Sequence, residues 1–234
     1  NSLDIITRQA ARDQAIEIAK EALEKFPNSY GALKCAALLS AIHRPSLSVQ
    51  HQDLIIPNKP HRGVVSYQNV DNVAMSFIKV PFDHNRNQGY RDSLYRAALK
   101  NAQKENRVAW YKEFKLRSSK DTYSHTYEYD AKGLAAGTYL VILETNQEDS
   151  KSISGSYMIV SQMSLFKRAV EIQILDRKSG KPLENVEIEL SINNAWFKTA
   201  GRTNKEGKFI LPYHDERNVR LKANLTDDVL IENI

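Results

Sequence analysis

One cysteine in 234 residues rules out an internal disulfide, and no cluster of Cys or His has metal-ligand spacing. That cysteine, Cys35, lies in "ALKCAALLSA" among small and apolar neighbours, and it reads as helix packing rather than as a nucleophile. A lone cysteine fits a cytosolic and a bacterial-envelope protein equally well. No window holds the roughly 18 uncharged apolar residues that a membrane helix needs. The start, "NSLDIITRQAARD", is charged and helical in pattern, unlike a signal peptide. Glycine is scarce as well: nine residues, each expected at a turn, and none forming a phosphate-cradling loop. The chain opens without Met and ends on the apolar "DDVLIENI", so it is expected to be a piece of a longer or processed protein, and the missing targeting signal does not report location.

Catalytic signatures are equally sparse. The six histidines (His43, His51, His61, His84, His125, His214) contain no i, i+4 metal pair and no His-Glu-x-x-His. His51 and His61 could meet across a hairpin, but no third ligand accompanies them. Asp227-Asp228 and Glu148-Asp149 are adjacent, so on strands they point to opposite faces and read as turn and edge residues. There is no Gly-x-Ser-x-Gly elbow, and "SISGSY" lacks its flanks. Asn224-Leu225-Thr226 fits a glycosylation sequon, a match common by chance. No catalytic residue, metal ligand or cofactor site is therefore expected, and the chain is not expected to be an enzyme.

The net charge of +5 is concentrated in one region. Between His84 and Lys120 stand ten Lys or Arg (Arg86, Arg91, Arg96, Lys100, Lys104, Arg107, Lys112, Lys115, Arg117, Lys120). Three acids (Asp92, Glu105, Glu113) face them, leaving a local balance of +7. No nucleic-acid motif accompanies the patch, so it is read as a solvated helix face plus a polar strand face, without a nucleic-acid partner.

Three pieces follow one another. Residues 1–44 are expected to form a helical hairpin. Ala15, Ala19, Ala22, Leu23 and Phe26 make one stripe, Pro27-Asn28-Ser29 breaks and recaps the chain, and Tyr30, Leu33, Ala37 and Ile42, with Leu38 and Leu39, make the facing stripe. "AKEALEKFPNSYGAL" resembles the junction of two tetratricopeptide-type repeats. The end of a helical repeat region, with further helices before Asn1, and a plain hairpin both fit.

Residues 45–162 change to a period of two. "SLSVQHQDLIIP", "RVAWYKEFKL", "DTYSHTYEYD", "GTYLVILET" and "GSYMIVSQ" read as strands, and "GVVSYQNVDNVAMSFIKV" as a hairpin turning at Asn69 to Asn72. A helical insertion near 90–105 carries Tyr95, Ala98, Leu99 and Ala102 on its apolar side, and Arg96, Lys100 and Lys104 as a charged ridge. Residues 163–234 hold a second, smaller or truncated β unit. Strands join there at "RKSGKP", where Gly180 permits positive φ, and the device repeats at Asn204 to Gly207. The expected fold is mainly β: two Ig-like antiparallel β-sandwich domains preceded by an α-helical hairpin. In "YEYDAKGLAAGTYLVILETN", Gly133 and Gly137 are expected to close a tight corner, with Tyr139 packed or hydrogen-bonded beside it.

The order of these elements resembles a known family. "SLSVQHQDLIIPNKPHRGVVSYQNVDNVAMSFIKV" is similar to the first macroglobulin-type domain of bacterial alpha-2-macroglobulin-like proteins, with its "P-N-x-P" turn and "Y-x-N" strand. "KGLAAGTYLVILE" resembles their "G-L-x-x-G-x-Y" element, and "YMIVSQMSLFKR" their linker strand. "VEIQILDRKSGKPLENVEIEL" and "TNKEGKFILP" resemble the two hairpins of the next domain. The resemblance covers about Leu47 to Pro212. It implies a large envelope-anchored or periplasmic protein that traps attacking proteases when an exposed bait segment is cut. Its partners would be proteases, met through the full-length parent, and neighbouring domains of the same chain, with any membrane anchor outside this piece. The family's thioester signature, Cys-x-Glu-Gln, is absent, since Ala36, Ala37 and Leu38 follow Cys35. No functional residue carries over, and the expected role is non-catalytic scaffold. A cell-surface adhesion or glycan-binding module is the alternative, with Trp196 and Phe197 as an exposed aromatic platform. An enzyme accessory domain would need a polar pocket that the sequence does not reveal.

Overall fold

The computed structural model describes residues 2–52, 54–80, 92–117, 123–147, 150–193, 195, 197–212 and 219–234. Two helices open it, α1 (Ser2–Lys25) and α2 (Tyr30–His43). Pro27 ends the first, and Ser29 caps the second by accepting the Ala32 N–H on Oγ at 3.1 Å. On α1 the stripe that periodicity suggests is the contact face up to Leu23, with Ala15, Ala19, Ala22 and Leu23 buried or half-buried; the departures are Phe26 and, on α2, Tyr30, Leu33, Ala37 and Leu38. Ala19 and Ala32 are buried, with Ile16, Ile42, Cys35 and Leu39 beside them, whereas Phe26, Tyr30 and Leu33 are 63, 73 and 65% exposed. Helix α2 is apolar around most of its circumference, so spacing alone cannot choose a face. The row turned inward is Ala32, Cys35, Leu39 and Ile42.

Next come two facing sheets. The first is antiparallel: β1 (Ser46–His51), β3 (His61–Gln68) and β6 (His125–Ala131), with β3 central. The second orders β2 (Leu54–Ile55), β8 (Ser150–Val160), β7 (Gly137–Gln147), β4 (Asn72–Lys79) and β5 (Val108–Lys115); only β2–β8 is parallel. Val65, Tyr67 and Tyr129 from one sheet meet Met75, Phe77, Val141, Leu143 and Met158 from the other. Helix α3 (Asp92–Lys104) packs on the outer face, where Leu99 and Ala102 cover Ile78, Leu140, Ile142 and Ile153. That third layer explains the unbroken apolar run of β7: Tyr139, Val141 and Leu143 point inward, Leu140 and Ile142 point under the helix.

The third piece repeats the plan on a smaller scale. β9 (Met163–Arg168), β10 (Glu171–Asp176) and β13 (Lys208–Ile210) form one sheet, ordered β13-β10-β9. β11 (Glu187–Ile192), β12 (Lys198–Arg202), β14 (Val219–Leu225) and β15 (Asp228–Asn233) form the other, ordered β12-β11-β14-β15. Met163, Ile172, Ile174, Val186, Ile188 and Leu221 are fully buried between them. The fold is mainly β, with antiparallel sheets stacked behind a helical pair.

Three connections read as hairpins are instead arches between sheets. β3 and β4 join different sheets, and so do β10 with β11 and β12 with β13. The local turns exist: Gly180 and Gly207 have φ of +68° and +69°, and Asn204 donates its N–H to Lys208 O at 2.9 Å. Beyond each turn the strands part, because each must bury an inward row against the opposite sheet. At the first arch Asn69 has φ of +54°, and its amide donates to Ile42 O at 2.9 Å and Arg44 O at 3.2 Å, fastening the helical hairpin to the sandwich.

Nor does every glycine mark a turn. Gly31 lies in α2, and Gly63, Gly155 and Gly201 lie inside strands. Each of the three strand glycines sits against an aromatic side chain, Tyr129, Tyr95 and Phe209 respectively, where a Cβ would come within 2.4–2.7 Å of the ring atoms or hydroxyl.

Candidate functional site

The corner flagged by Gly133 and Gly137 closes on the turn at Pro57–Pro60. Asn58, at φ +59°, donates its N–H to Leu134 O at 2.7 Å. A Cβ on Gly133 would lie 2.4 Å from the Asn58 carbonyl carbon and 2.7 Å from Lys59 N, so backbone proximity demands glycine there. Gly137 is required for a different reason, its φ of +141°. Tyr139 is buried beneath, and its hydroxyl donates to Ala135 O four residues upstream at 2.9 Å, the arrangement of a tyrosine corner. Burial raises the pKa of that phenol. The corner is structural: every group in it is spent on holding backbone to backbone.

The residues weighed for chemistry are scattered. His43 bonds Leu39 O, while His51 contacts Gln52 O and Ser156 Oγ. His125 lies beside the Tyr67 ring. His84, His214, Glu148, Asp149 and Trp196 lie outside the described residues. His51 pairs in register with Gly63 rather than with His61. His61 itself is buried, stacked on Phe77 at 5.7 Å, and neither ring nitrogen has a hydrogen-bond partner. Burial, then the neighbouring His51, lowers its pKa. Among the described residues no three His, Cys, Asp or Glu converge to hold a metal ion. Cys35 is half-buried between the helices. Asn224 of the sequon spends its amide on Glu189 Oε1 at 2.8 Å. Phe197 is half-buried with the Arg220 guanidinium over its ring at 5.5 Å, so that ring is not an open platform.

Asp228 does more than close a turn. Its Oδ2 accepts the Gln162 N–H at 2.9 Å, and Gln162 O in turn accepts the Arg177 N–H at 2.7 Å. Ser161, fully buried, donates its N–H to Ile55 O at 2.9 Å. The connection between the two sandwiches is thus tied to both. Burial raises the pKa of Asp228, against the opposing hydrogen bonds.

The basic region is partly neutralised. Arg96 donates to Glu144 at 3.1 Å, and Arg107 to Glu105 at 2.5 Å. Lys112 lies over the Phe114 ring at 5.0 Å. Arg86, Arg91 and Lys120 fall outside the described residues.

A cleft of about 480 Å³ opens on the outer face of the five-stranded sheet, beside α3. Its centre is Ala74 on β4, which pairs with Glu113 of β5 on one side and Glu144 of β7 on the other. Asn72 pairs with Lys115, and Ser76 with Tyr111. The Tyr111 hydroxyl donates to the Glu113 carboxylate, and this bond chiefly pushes the phenol pKa up to about 12. None of these residues stands out in the sequence, because only strand register brings Glu113 and Glu144 to either side of one alanine. The visible signal is local: the odd-numbered polar run Tyr111, Glu113, Lys115, opposite in phase to the inward Trp110 and Phe114.

No family model matches the sequence, and no curated protein sequence does. Solved structures do. Native alpha-2-macroglobulin from Escherichia coli, in a fragment spanning domains NIE-MG1, superposes with a TM-score of 0.55 at 16% identity, over 82% of this chain and 98% of that one. A longer fragment of that protein, spanning MG0-NIE-MG1, gives 0.57 at 16% identity over 80% of this chain and 64% of its own length. The chain has the fold of these bacterial alpha-2-macroglobulin fragments.

Proposed function

We propose that this chain is a non-catalytic scaffold segment of a bacterial alpha-2-macroglobulin-like protease trap. The observation that carries the reading is the correspondence of fold with 98% of the native Escherichia coli NIE-MG1 fragment. The chemistry of the chain supports it. Buried aromatics, the Gly133 corner and the Asp228 tie all hold sheets and sandwiches together. In this reading the partners are neighbouring domains of the same protein and, through them, a protease that cleaves elsewhere. The parent protein works in the periplasm or at the cell surface.

Small-angle scattering on the protein that contains this chain tests the proposal. Limited proteolysis should change its radius of gyration while the two sandwiches resist cleavage. An unchanged profile after cutting, or degradation of the sandwiches themselves, would remove the support.

A further inference from the structure

We propose that the outward cleft centred on Ala74 binds a neutral polyhydroxylated ligand, a glycan; this is independent of the protease-trap reading. Among the described residues, α3 covers the outer face of the five-stranded sheet over Ile78, Leu140, Ile142 and Ile153. Past the Arg96–Glu144 pair the cleft is floored by the small or polar side chains Asn72 and Ala74. Two strand spacings separate Glu113 from Glu144, about 10 Å between Cα atoms, with only a methyl group between them.

Charge selects the ligand class. Glu113 and Glu144 are balanced by Arg96 and Lys115, so a polyanion would meet two carboxylates and a polycation two basic groups. A neutral ligand meets acceptors in one row (Glu113, Glu144) and donors in the next (Lys115, Asn72). A sugar ring carries neighbouring hydroxyls that both donate and accept, which suits alternating rows. Tyr111, 52% exposed, lies on the same face and presents an aromatic ring to the C–H face of a sugar. Its hydroxyl is held by Glu113 and the Glu144 carboxylate by Arg96, so the site is ordered before a ligand arrives.

The test uses the whole chain on immobilised neutral, acidic and basic oligosaccharides, followed by titration calorimetry with any neutral one retained. Retention of a neutral oligosaccharide is expected. Ala74→Arg, which fills the cleft, and Tyr111→Ala, on an exposed side chain, should each weaken it by at least about tenfold. Circular dichroism and thermal melts establish that both variants fold. No neutral oligosaccharide retained, acidic or basic ones retained instead, or two folded variants binding like the parent would each overturn the proposal.

Discussion

Replacing Gly133 by Ala tests the corner most sharply, because a single methyl must enter space occupied by backbone. The added Cβ would stand 2.4 Å from the Asn58 carbonyl carbon, 2.7 Å from its oxygen and 2.7 Å from Lys59 N. No rotamer relieves such a contact, so one of the two turns must move and the Asn58 N–H to Leu134 O bond at 2.7 Å is stretched or lost. Overpacking of this kind costs about 1–3 kcal/mol, and a lost hydrogen bond about 1 kcal/mol. Alanine recovers about 0.4–1 kcal/mol by restricting the unfolded chain. The net loss is roughly 1–3 kcal/mol by these terms. At a slope of about 2 kcal/mol per M, the middle of that range shifts the urea midpoint down by about 1 M. Trp110, stacked 4.6 Å from Phe77 in the first core, reports the transition by fluorescence in a Trp196→Phe background. Gly31→Ala is the control. Its Cβ meets only Ser29 Oγ at 3.7 Å inside α2, so it should hold or raise stability by up to about 1 kcal/mol. If Gly133→Ala melts like Gly31→Ala, the corner is not closed as described.

Other consequences follow from individual groups. Gly137→Val, at φ +141°, should destabilise the first sandwich by roughly 1–3 kcal/mol in the same assay; an unchanged midpoint would contradict the positive φ. Gly155→Ala places a Cβ 2.4 Å from the Tyr95 ring, which should release α3 and raise amide exchange along it, whereas unchanged protection would mean that the ring yields. His61 has a lowered native pKa, so the unfolded chain takes up its proton first. Its contribution is therefore present above about pH 6.5 and is lost as the pH falls towards the native pKa. His61→Phe should gain stability relative to the parent between pH 7 and 5, and a difference independent of pH would refute the burial argument. Asp228 has a raised native pKa, so its favourable contribution belongs to low pH and is lost as the pH rises through that value. Asp228→Asn, which keeps an acceptor for Gln162, should melt higher at pH 7, with the advantage shrinking towards pH 4; a lower melting temperature at pH 7 would count against it.

What could be read from the sequence was whatever is encoded locally. Strand rows such as Val65 and Tyr67, the insertion helix with Leu99 and Ala102, and the turn glycines Gly180 and Gly207 all carry their own periodicity or backbone signal. What stayed hidden depends on partners distant in the chain. The link at Asn69 looks identical whether its strands pair or part, and the choice lies with β6 and β7, which take up β3 and β4. Gly63 and Gly155 resemble turn glycines until Tyr129 and Tyr95 are seen to fill the space above them. Helix α2 has too many apolar residues for spacing to name its contact face. The cleft residues Glu113 and Glu144 are 31 positions apart, and only the register through Ala74 unites them.

Under the proposed function these sandwiches serve as the frame of a protease trap. This role is tested most directly by incubating the native protein that carries this chain with an active protease, then assaying the protease on a small peptide and on a large protein substrate. Retained cleavage of the peptide together with loss of activity towards the large substrate is expected. Equal activity on both substrates, with the protease free to exchange with a macromolecular inhibitor, would contradict it.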